Sequence, residues 1–223
     1  MIESFYRYGV LVEFNSALEQ DSEFGYLYSL FVKLRSDDEF LYEQFLDTKE
    51  ALIATLDELL YAGSRLDDGW CEIYFYAQDT KGLDKQVATF LRGEYAYESS
   101  STKDAKWDFW YKNLLPNELE FLYMEAKKIV DDLLSEGDEL ESVREVEHYA
   151  TFDTPTQMER FVANASKVGF RLKDELDIDG YGVAVVREHS LLDLNSCIET
   201  LYELAKKEHG NYELFSTVLS DEK

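Results

Sequence analysis

Residues 143–170 read VREVEHYATFDTPTQMERFVANASKVGF, and this stretch decides the fold of the second half of the chain. Its first ten residues alternate in polarity, which is typical of a strand with one buried face. That face carries Val146, His148, Ala150 and Phe152. Thr154 then predicts a helix N-cap, with Pro155 in the first turn and Gln157 completing a capping box. The stretch therefore predicts a strand followed directly by a helix.

The helix and the elements after it complete a recognisable order. Apolar residues three and four apart predict one buried helix stripe, and Gly169 is expected to end the helix. These stripe residues are Met158, Phe161, Val162, Ala165 and Val168. A hairpin of strands 170–178 and 181–188 follows, with Asp179-Gly180 suited to a tight turn. Ser190 is expected to cap a second helix, and 212–219 to be the last strand. The order β-α-β-β-α-β predicts a ferredoxin-like sandwich.

The first part of the chain repeats this plan more loosely. Residues 135–142, SEGDELES, have a single apolar residue and four carboxylates, so we predict domains at 1–134 and 143–223. The first domain is expected to be a related α+β sandwich with an extra N-terminal strand near residues 6–14 and a closing helix at 117–134. Gly69 and Gly180 each precede a helix cap by ten positions, which raises the hypothesis of a diverged duplication.

Negative charge is the most unusual property of the composition. The 223 residues include 47 Asp and Glu against 22 Lys and Arg, a formal net charge of −25. Both halves contribute, with −14 over residues 1–134 and −11 over 135–223. Such a field repels nucleic acid and anionic membranes and attracts basic proteins. The start of the chain has neither a basic segment nor an apolar run, so we expect a soluble, cytoplasmic protein without direct nucleic-acid contact.

Candidate catalytic and metal-binding groups are few. Glu188, His189 and Ser190 are neighbours in sequence, but neighbours on a strand point to opposite faces and cannot form a relay. His148 is expected to be a hydrogen-bonded core histidine. Cys71 and Cys197 are interpreted as small core residues. We therefore predict no enzyme activity, no cofactor and no metal site.

An acidic run before Gly180 imitates the start of a calcium loop. Its twelfth position would be Val186, which has no carboxylate for the ion, so the match fails and a hairpin is preferred. Tyr181 and Tyr212 could lie on an open sheet face, but Val183, Val185 and Leu214 share their parity. Together with the negative charge, this parity favours a buried or protein-binding surface over an RNA-binding one.

Residues 144–219 resemble the regulator of ribonuclease E activity B family. The marks are the strand with His148, the Gly169-Phe170 pair, and the stretch AKKEHGNY (205–212) before the last strand. Members of that family usually continue with aspartate, glycine and tryptophan, where this chain has Glu213, Leu214 and Phe215. The resemblance implies inhibition of an endonuclease by protein contact.

Residues in the first domain are similar to an uncharacterised bacterial domain family often found upstream of such a module. The marks are Gly69, Glu72, Phe75-Tyr76, Asp104, Trp107, Trp110-Tyr111 and Leu114-Leu115-Pro116. The similarity implies no activity. We expect these aromatic residues to serve mainly as core packing, given the area that each ring has to bury.

From charge and resemblance together we predict a non-enzymatic regulator that binds a basic protein such as a ribonuclease. The predicted contact residues are Asp174, Glu175, Asp177, Asp179 and Glu213. The alternative is an immunity-type protein that neutralises a basic toxin. A hydrolase using His148 or His189 with nearby carboxylates is a third hypothesis. The sequence predicts neither the partner nor the oligomeric state.

Overall fold

The computed structural model describes residues 1–35, 40–91, 93, 95–176 and 180–219. Two compact units can be separated, Met1–Pro116 and Asn117–Lys223, and each is considered by itself. Both are mixed α+β structures built on an antiparallel sheet. Within the described ranges, none of the helices has the length and apolar character needed to cross a membrane.

The first unit has a six-stranded sheet in the order β1-β2-β4-β5-β3-β6. Its elements are β1 (Ile2–Arg7), β2 (Val10–Asn15), β3 (Tyr26–Lys33), α1 (Leu41–Thr55), β4 (Leu60–Asp67), β5 (Trp70–Ala77), α2 (Leu83–Leu91), β6 (Tyr97–Lys103) and a π-helical turn (Trp110–Leu114). All neighbouring strands are antiparallel. The central strand β5 is buried along most of its length, because both of its neighbours are strands and α1 contacts it.

The N-terminal strand predicted near residues 6–14 is two strands. Tyr8 and Gly9 both have positive φ, 52° and 83°, and form the two-residue turn between β1 and β2. Two such residues are the requirement of a type I′ hairpin turn. The prediction of a single extra strand was wrong because the Tyr-Gly pair was not recognised as a turn.

Aromatic residues near the end of the first unit are packed inside it. Trp107 is fully buried, stacks on Tyr76 with ring centroids 4.1 Å apart, and donates from Nε1 to the Phe24 carbonyl at 2.8 Å. Trp110 is also buried, whereas Tyr111 is about half exposed. The expectation that this cluster is mainly core packing is therefore confirmed for the two tryptophans.

The second unit has a four-stranded antiparallel sheet in the order β10-β7-β9-β8. Its elements are α3 (Glu118–Ser135), β7 (Arg144–Phe152), α4 (Pro155–Lys167), β8 (Arg171–Leu176), β9 (Tyr181–His189), a 3-10 turn (Leu191–Asp193), α5 (Leu194–Lys207) and β10 (Asn211–Thr217). The predicted order β-α-β-β-α-β is present between β7 and β10. The capping box of Thr154 and Gln157 is confirmed at the start of α4.

Two local predictions in this unit were wrong. Val168, assigned to the buried stripe of α4, is 44% exposed because the helix ends at Lys167. Ser190 does not cap a helix, since its hydroxyl donates to the Asp193 carboxylate at 3.2 Å and a 3-10 turn separates it from α5. The Asp179-Gly180 turn lies partly outside the described residues.

The helix α3 packs with the second unit. Leu122 and Ala126 belong to its core cluster, and the helix contacts α5 and β10. Asp138, in the loop after α3, is buried and bonds the Arg144 guanidinium through both carboxylate oxygens. The boundary between the two compact units therefore lies at Pro116, whereas the sequence analysis assigned residues 117–134 to the first domain. The limits of independently folding domains stay a prediction.

Candidate functional site

One face of the second sheet carries the helices, and the other face carries charged side chains. In β7, Val146, His148 and Ala150 are buried on the helix side, which leaves the alternate residues on the open face. Directly paired residues share a face, so the register with β9 and β8 extends this assignment across the sheet. The open face then carries Glu145, Glu147, Tyr149, Thr151, Arg171, Lys173, Asp174, Glu188 and Glu213.

Two basic side chains of the edge strand β8 form ion pairs with carboxylates of the central strand β7. Lys173 Nζ bonds Glu145 at 2.8 Å and also contacts Glu147, and the Arg171 guanidinium contacts Glu145. The Lys173 hydrogen bond is the main reason that the pKa of Glu145 is lowered. Glu188 lies directly opposite Glu145 in the register. Five carboxylates against two cations leave this face with an excess of negative charge.

Two of the five predicted contact residues can be placed by their side chains. Asp174 is exposed on the edge strand β8, and Glu213 is exposed on the opposite edge strand β10, where it accepts from Thr151 Oγ1 at 2.5 Å. Glu175 lies in β8, but its side chain is outside the described set. Asp177 and Asp179 lie outside the described residues altogether.

The sequence analysis did not predict Glu145, Glu147 and Glu188 as residues of this face, although the alternation within 144–152 already places the first two on the side opposite the core.

Tyr212 does not lie on the open face. It is 5% exposed and packs on the helix side, paired with Ala150. Its parity with Val183 and Val185 therefore marks the buried side. The β7–β10 register shifts between Tyr212 and Phe215, so Phe215 is also buried on this side, opposite His148. The open face has one described tyrosine of the central strands, Tyr149, which donates to Glu147 at 3.0 Å.

Two histidines that the sequence placed on separate elements meet in the core. His148 on β7 and His189 at the end of β9 approach to 3.3 Å between their Nε2 atoms, and both are buried. Burial is the main cause that lowers the pKa of His148 to about 3, so its imidazole is neutral at neutral pH. The prediction of a hydrogen-bonded core histidine is confirmed. Glu188 is exposed on the opposite face from His189, so the Glu-His-Ser run forms no relay.

Among the described residues, one group could hold a metal ion. It consists of His148, His189 and Cys197. Cys71, in the first unit, is buried separately, and both cysteines are free thiols. The interpretation of both cysteines as buried residues is confirmed.

Comparison with known families bears on both units. Residues 124–217 match the family model described as Regulator of ribonuclease activity B. The resemblance of the second region to that regulator family is thereby confirmed. Residues 36–115 match a family of unknown function, DUF695, so the regulator-like region is preceded by the uncharacterised domain that the sequence indicated.

A curated relative and a solved structure can be set beside the chain. The relative is a Regulator of ribonuclease activity B from Xenorhabdus nematophila, 28% identical over 114 residues, which are 48% of this chain and 81% of that protein. The structure is protein BT0572 from Bacteroides thetaiotaomicron, 10% identical with a TM-score of 0.20, covering 85% of this chain and 91% of that one. A TM-score this low supports no statement about the fold.

Proposed function

We propose that this protein is a cytoplasmic, non-enzymatic regulator that inhibits a ribonuclease by direct protein contact. The carrying observation is the match of residues 124–217 to the Regulator of ribonuclease activity B family. The relative from Xenorhabdus nematophila bears the same name. The partner surface is a basic segment of the nuclease, and RNA itself is not bound.

The open face of the second sheet is the proposed contact surface. Its exposed ends are Asp174 on β8 and Glu213 on β10, with Glu145, Glu147 and Glu188 between them. Three strand spacings separate the two edge strands, which is about 14 Å. An extended basic segment of four or five residues spans that distance. Charge complementarity of this kind raises the rate of association and gives it a steep salt dependence.

The central carboxylates contribute less than the edge residues. Glu145 and Glu147 already bond Lys173, so a basic partner has to compete with an internal cation for them. Asp174 and Glu213 have no described lysine or arginine bonded to their carboxylates. We therefore assign the main contacts to the two edges of the face, and include Glu175, Asp177 and Asp179 from the sequence pattern of the adjoining hairpin.

The experiment measures cleavage of a labelled RNA by a purified ribonuclease from the organism that encodes this protein. The ribonuclease chosen is the one most similar to the endonuclease that the regulator family inhibits. Addition of the full chain should slow cleavage at low salt and do so less at high salt. Changing Asp174→Asn and Glu213→Gln together should weaken inhibition roughly two- to thirtyfold, since exposed charge pairs contribute about 0.2–1 kcal/mol each.

A charge-matched control separates a local effect from a general one. Changing Glu199→Gln and Glu203→Gln also removes two negative charges, here from the exposed side of α5, and should leave inhibition unchanged. Equal loss in both double variants would contradict the assigned face. Tight binding of the RNA by the protein, or cleavage unaffected at every salt concentration, would contradict the regulatory proposal itself.

We infer that β7 to β10 form a ferredoxin-like sandwich, supported by the order β-α-β-β-α-β and the strand order β10-β7-β9-β8. In that arrangement both helices lie on one face, which is what leaves the other face free for a partner.

A further inference from the structure

The core of the second unit contains three side chains with metal-binding atoms in one place. One ring nitrogen of His148, one of His189 and the Cys197 Sγ all lie within 4.8 Å of one another. They come from β7, from the end of β9 and from the first turn of α5. All three residues are buried, so the cluster is unrelated to the charged open face.

The hydrogen bonds fix the protonation of His189. Its Nδ1 lies 2.7 Å from the Ser190 carbonyl oxygen. A carbonyl can only accept, so Nδ1 carries the proton and the lone pair of Nε2 points into the cluster. A histidine that donates one ring N–H to a backbone carbonyl is oriented as metal-ligating histidines usually are.

The spacing of the two rings suits a shared ion. The Nε2 atoms of His148 and His189 are 3.3 Å apart. Two nitrogens that each lie about 2.0–2.1 Å from one ion are about 3.3–3.6 Å apart in tetrahedral or trigonal geometry. The second ring nitrogen of His148, Nδ1, lies 2.8 Å from the Tyr212 hydroxyl, which can accept a hydrogen bond from Nδ1–H when Nε2 binds an ion.

We propose that His148, His189 and Cys197 bind a single thiophilic d10 ion, Cu⁺ or Zn²⁺. A thiolate with two imidazoles is a donor set that both ions accept, whereas Mg²⁺ and Ca²⁺ prefer oxygen. The site is a structural centre of the second unit and is independent of the proposed ribonuclease contact. This proposal departs from the expectation, made from the sequence, that the chain has no metal site.

Arg187 bears on the choice between the two ions. Its Nη2 donates to Cys197 Sγ at 2.9 Å, which stabilises a thiolate. One thiolate neutralises one positive charge, so Cu⁺ leaves the ligand set neutral beside the arginine and Zn²⁺ leaves an additional buried charge. Three ligands also complete a trigonal Cu⁺ site, while Zn²⁺ usually takes a fourth. We therefore expect Cu⁺ to bind more tightly than Zn²⁺.

Binding has a defined proton balance. Without the ion, His148 Nε2–H donates to the His189 lone pair, and the Tyr212 hydroxyl donates to His148 Nδ1. With the ion, the His148 proton resides on Nδ1 and the Cys197 thiol proton leaves. Both imidazoles are neutral in each state, so one proton is released to solvent per ion bound.

The test loads the full chain during refolding from guanidinium chloride, because the three ligands are buried in the folded protein. Refolding under reducing conditions with Cu⁺ or with Zn²⁺, in excess Mg²⁺ to occupy surface carboxylates, is followed by desalting and elemental analysis. We expect one ion per chain, and calorimetry in buffers of different ionisation enthalpy should report one proton released.

Matched variants assign the ion to the cluster. Cys197→Ala should lower the affinity at least a hundredfold, whereas Cys71→Ala, which removes the other buried thiol, should keep one ion per chain. His189→Gln is a second ligand variant, and circular dichroism checks the fold of each. Retention of less than a tenth of an ion by the unaltered chain in both arms would overturn the site. Equal retention by Cys197→Ala and the unaltered chain would overturn it too.

Discussion

The segment β3-α1-β4-β5-α2-β6 of the first unit and the segment β7-α4-β8-β9-α5-β10 of the second have the same order of elements. Their strands are also arranged alike, as β6-β3-β5-β4 and as β10-β7-β9-β8. Even the spacing agrees, since α2 begins fourteen residues after Gly69 and α5 begins fourteen residues after Gly180. One plan therefore occurs twice in this chain, and common origin by duplication remains a hypothesis.

The edges of the two sheets differ. In the first unit the hairpin β1-β2 pairs with β4, so the strand equivalent to β8 is an interior strand. In the second unit β8 pairs with β9 alone among the described strands, while α3 contacts the opposite edge strand β10. The added elements cover different edges, which leaves the exposed and charged β8 beside the open face proposed to bind a partner.

The buried polar groups differ more than the backbones do. The first unit buries an ion pair between Glu13 and Lys49, 2.5 Å apart, with Ser64 donating to the same carboxylate at 2.7 Å. The second unit buries the pair of Asp138 and Arg144 together with its neutral histidine cluster. The two units thus share the arrangement of helices and strands but differ in the polar residues that are buried within it.

The largest expected effect is on the stability of the second unit when it is shortened at its N-terminal boundary. A fragment of residues 117–223 should unfold cooperatively in urea, whereas 143–223, which lacks α3, should show no cooperative transition. Loss of α3 exposes core surface around Leu122, which costs about 1.5–3 kcal/mol per large side chain. The shorter fragment also lacks Asp138, the buried partner of Arg144, which costs about 3–5 kcal/mol. Together these losses are comparable with a whole domain's stability of about 5–15 kcal/mol.

Circular dichroism and urea titration of both fragments decide the point. The fragment 1–116 serves as the companion measurement, because it contains the complete six-stranded sheet. Equal stability of 143–223 and 117–223 would show that the second unit folds without α3. The two units would then have to be compared with the domain limits predicted from the sequence, 1–134 and 143–223.

An intermediate effect is expected when the buried ion pairs are broken. Asp138→Ala should lower the free energy of unfolding by about 3–5 kcal/mol, because it leaves the Arg144 charge buried and unpaired. In the first unit, Lys49→Met should cost less, about 1–3 kcal/mol, since Glu13 keeps the Ser64 hydroxyl. Asp131→Ala, which breaks an exposed pair, should change stability by no more than about 0.5 kcal/mol.

Denaturant unfolding of the full chain measures all three variants. Asp138→Leu combined with Arg144→Met should recover part of the loss, because no buried charge then lacks a partner. If Lys49→Met proves as costly as Asp138→Ala, the two units depend on their buried ion pairs equally, and the distinction between them fails.

The smallest effect concerns the charged open face. Lys173, and to a lesser extent Arg171, hold the pKa of Glu145 below its usual range, so an NMR titration should find this carboxylate ionised at a lower pH than an ordinary glutamate. Because the folded-state pKa is lowered, the stabilisation from this pairing is complete above the ordinary glutamate pKa. It is lost as the pH falls through the lowered value.

A lysine variant tests the cause of that shift. Lys173→Met should move the Glu145 titration toward higher pH, whereas Lys167→Met, which removes a charge at the end of α4, should leave it in place. A Glu145 titration that is the same with and without Lys173 would mean that the cation does not pair with it in solution.

Much of the local structure could be predicted because its signals are short in sequence. The cap at Thr154 and the stripe of Met158, Phe161 and Ala165 depend on residues within a turn or two of one another, and both are present, although Val168, the last residue predicted for the stripe, is exposed. The hairpin at Tyr8-Gly9 was missed although its signal is equally local, since the Tyr-Gly pair is less typical than Asn-Gly or Asp-Gly.

The tertiary structure alone decided what distant residues do together. Alternation within β7 predicted that His148 faces the core, but only the strand register places it against His189, forty-one residues away, with Cys197 beside them. The sequence likewise predicted the helix 117–134 but assigned it to the first domain, whereas α3 packs against α5 and β10. Propensity and periodicity act over a few residues, whereas the pairing of strands and the packing of helices depend on contacts far apart in the chain, and those contacts make the open face and the buried cluster.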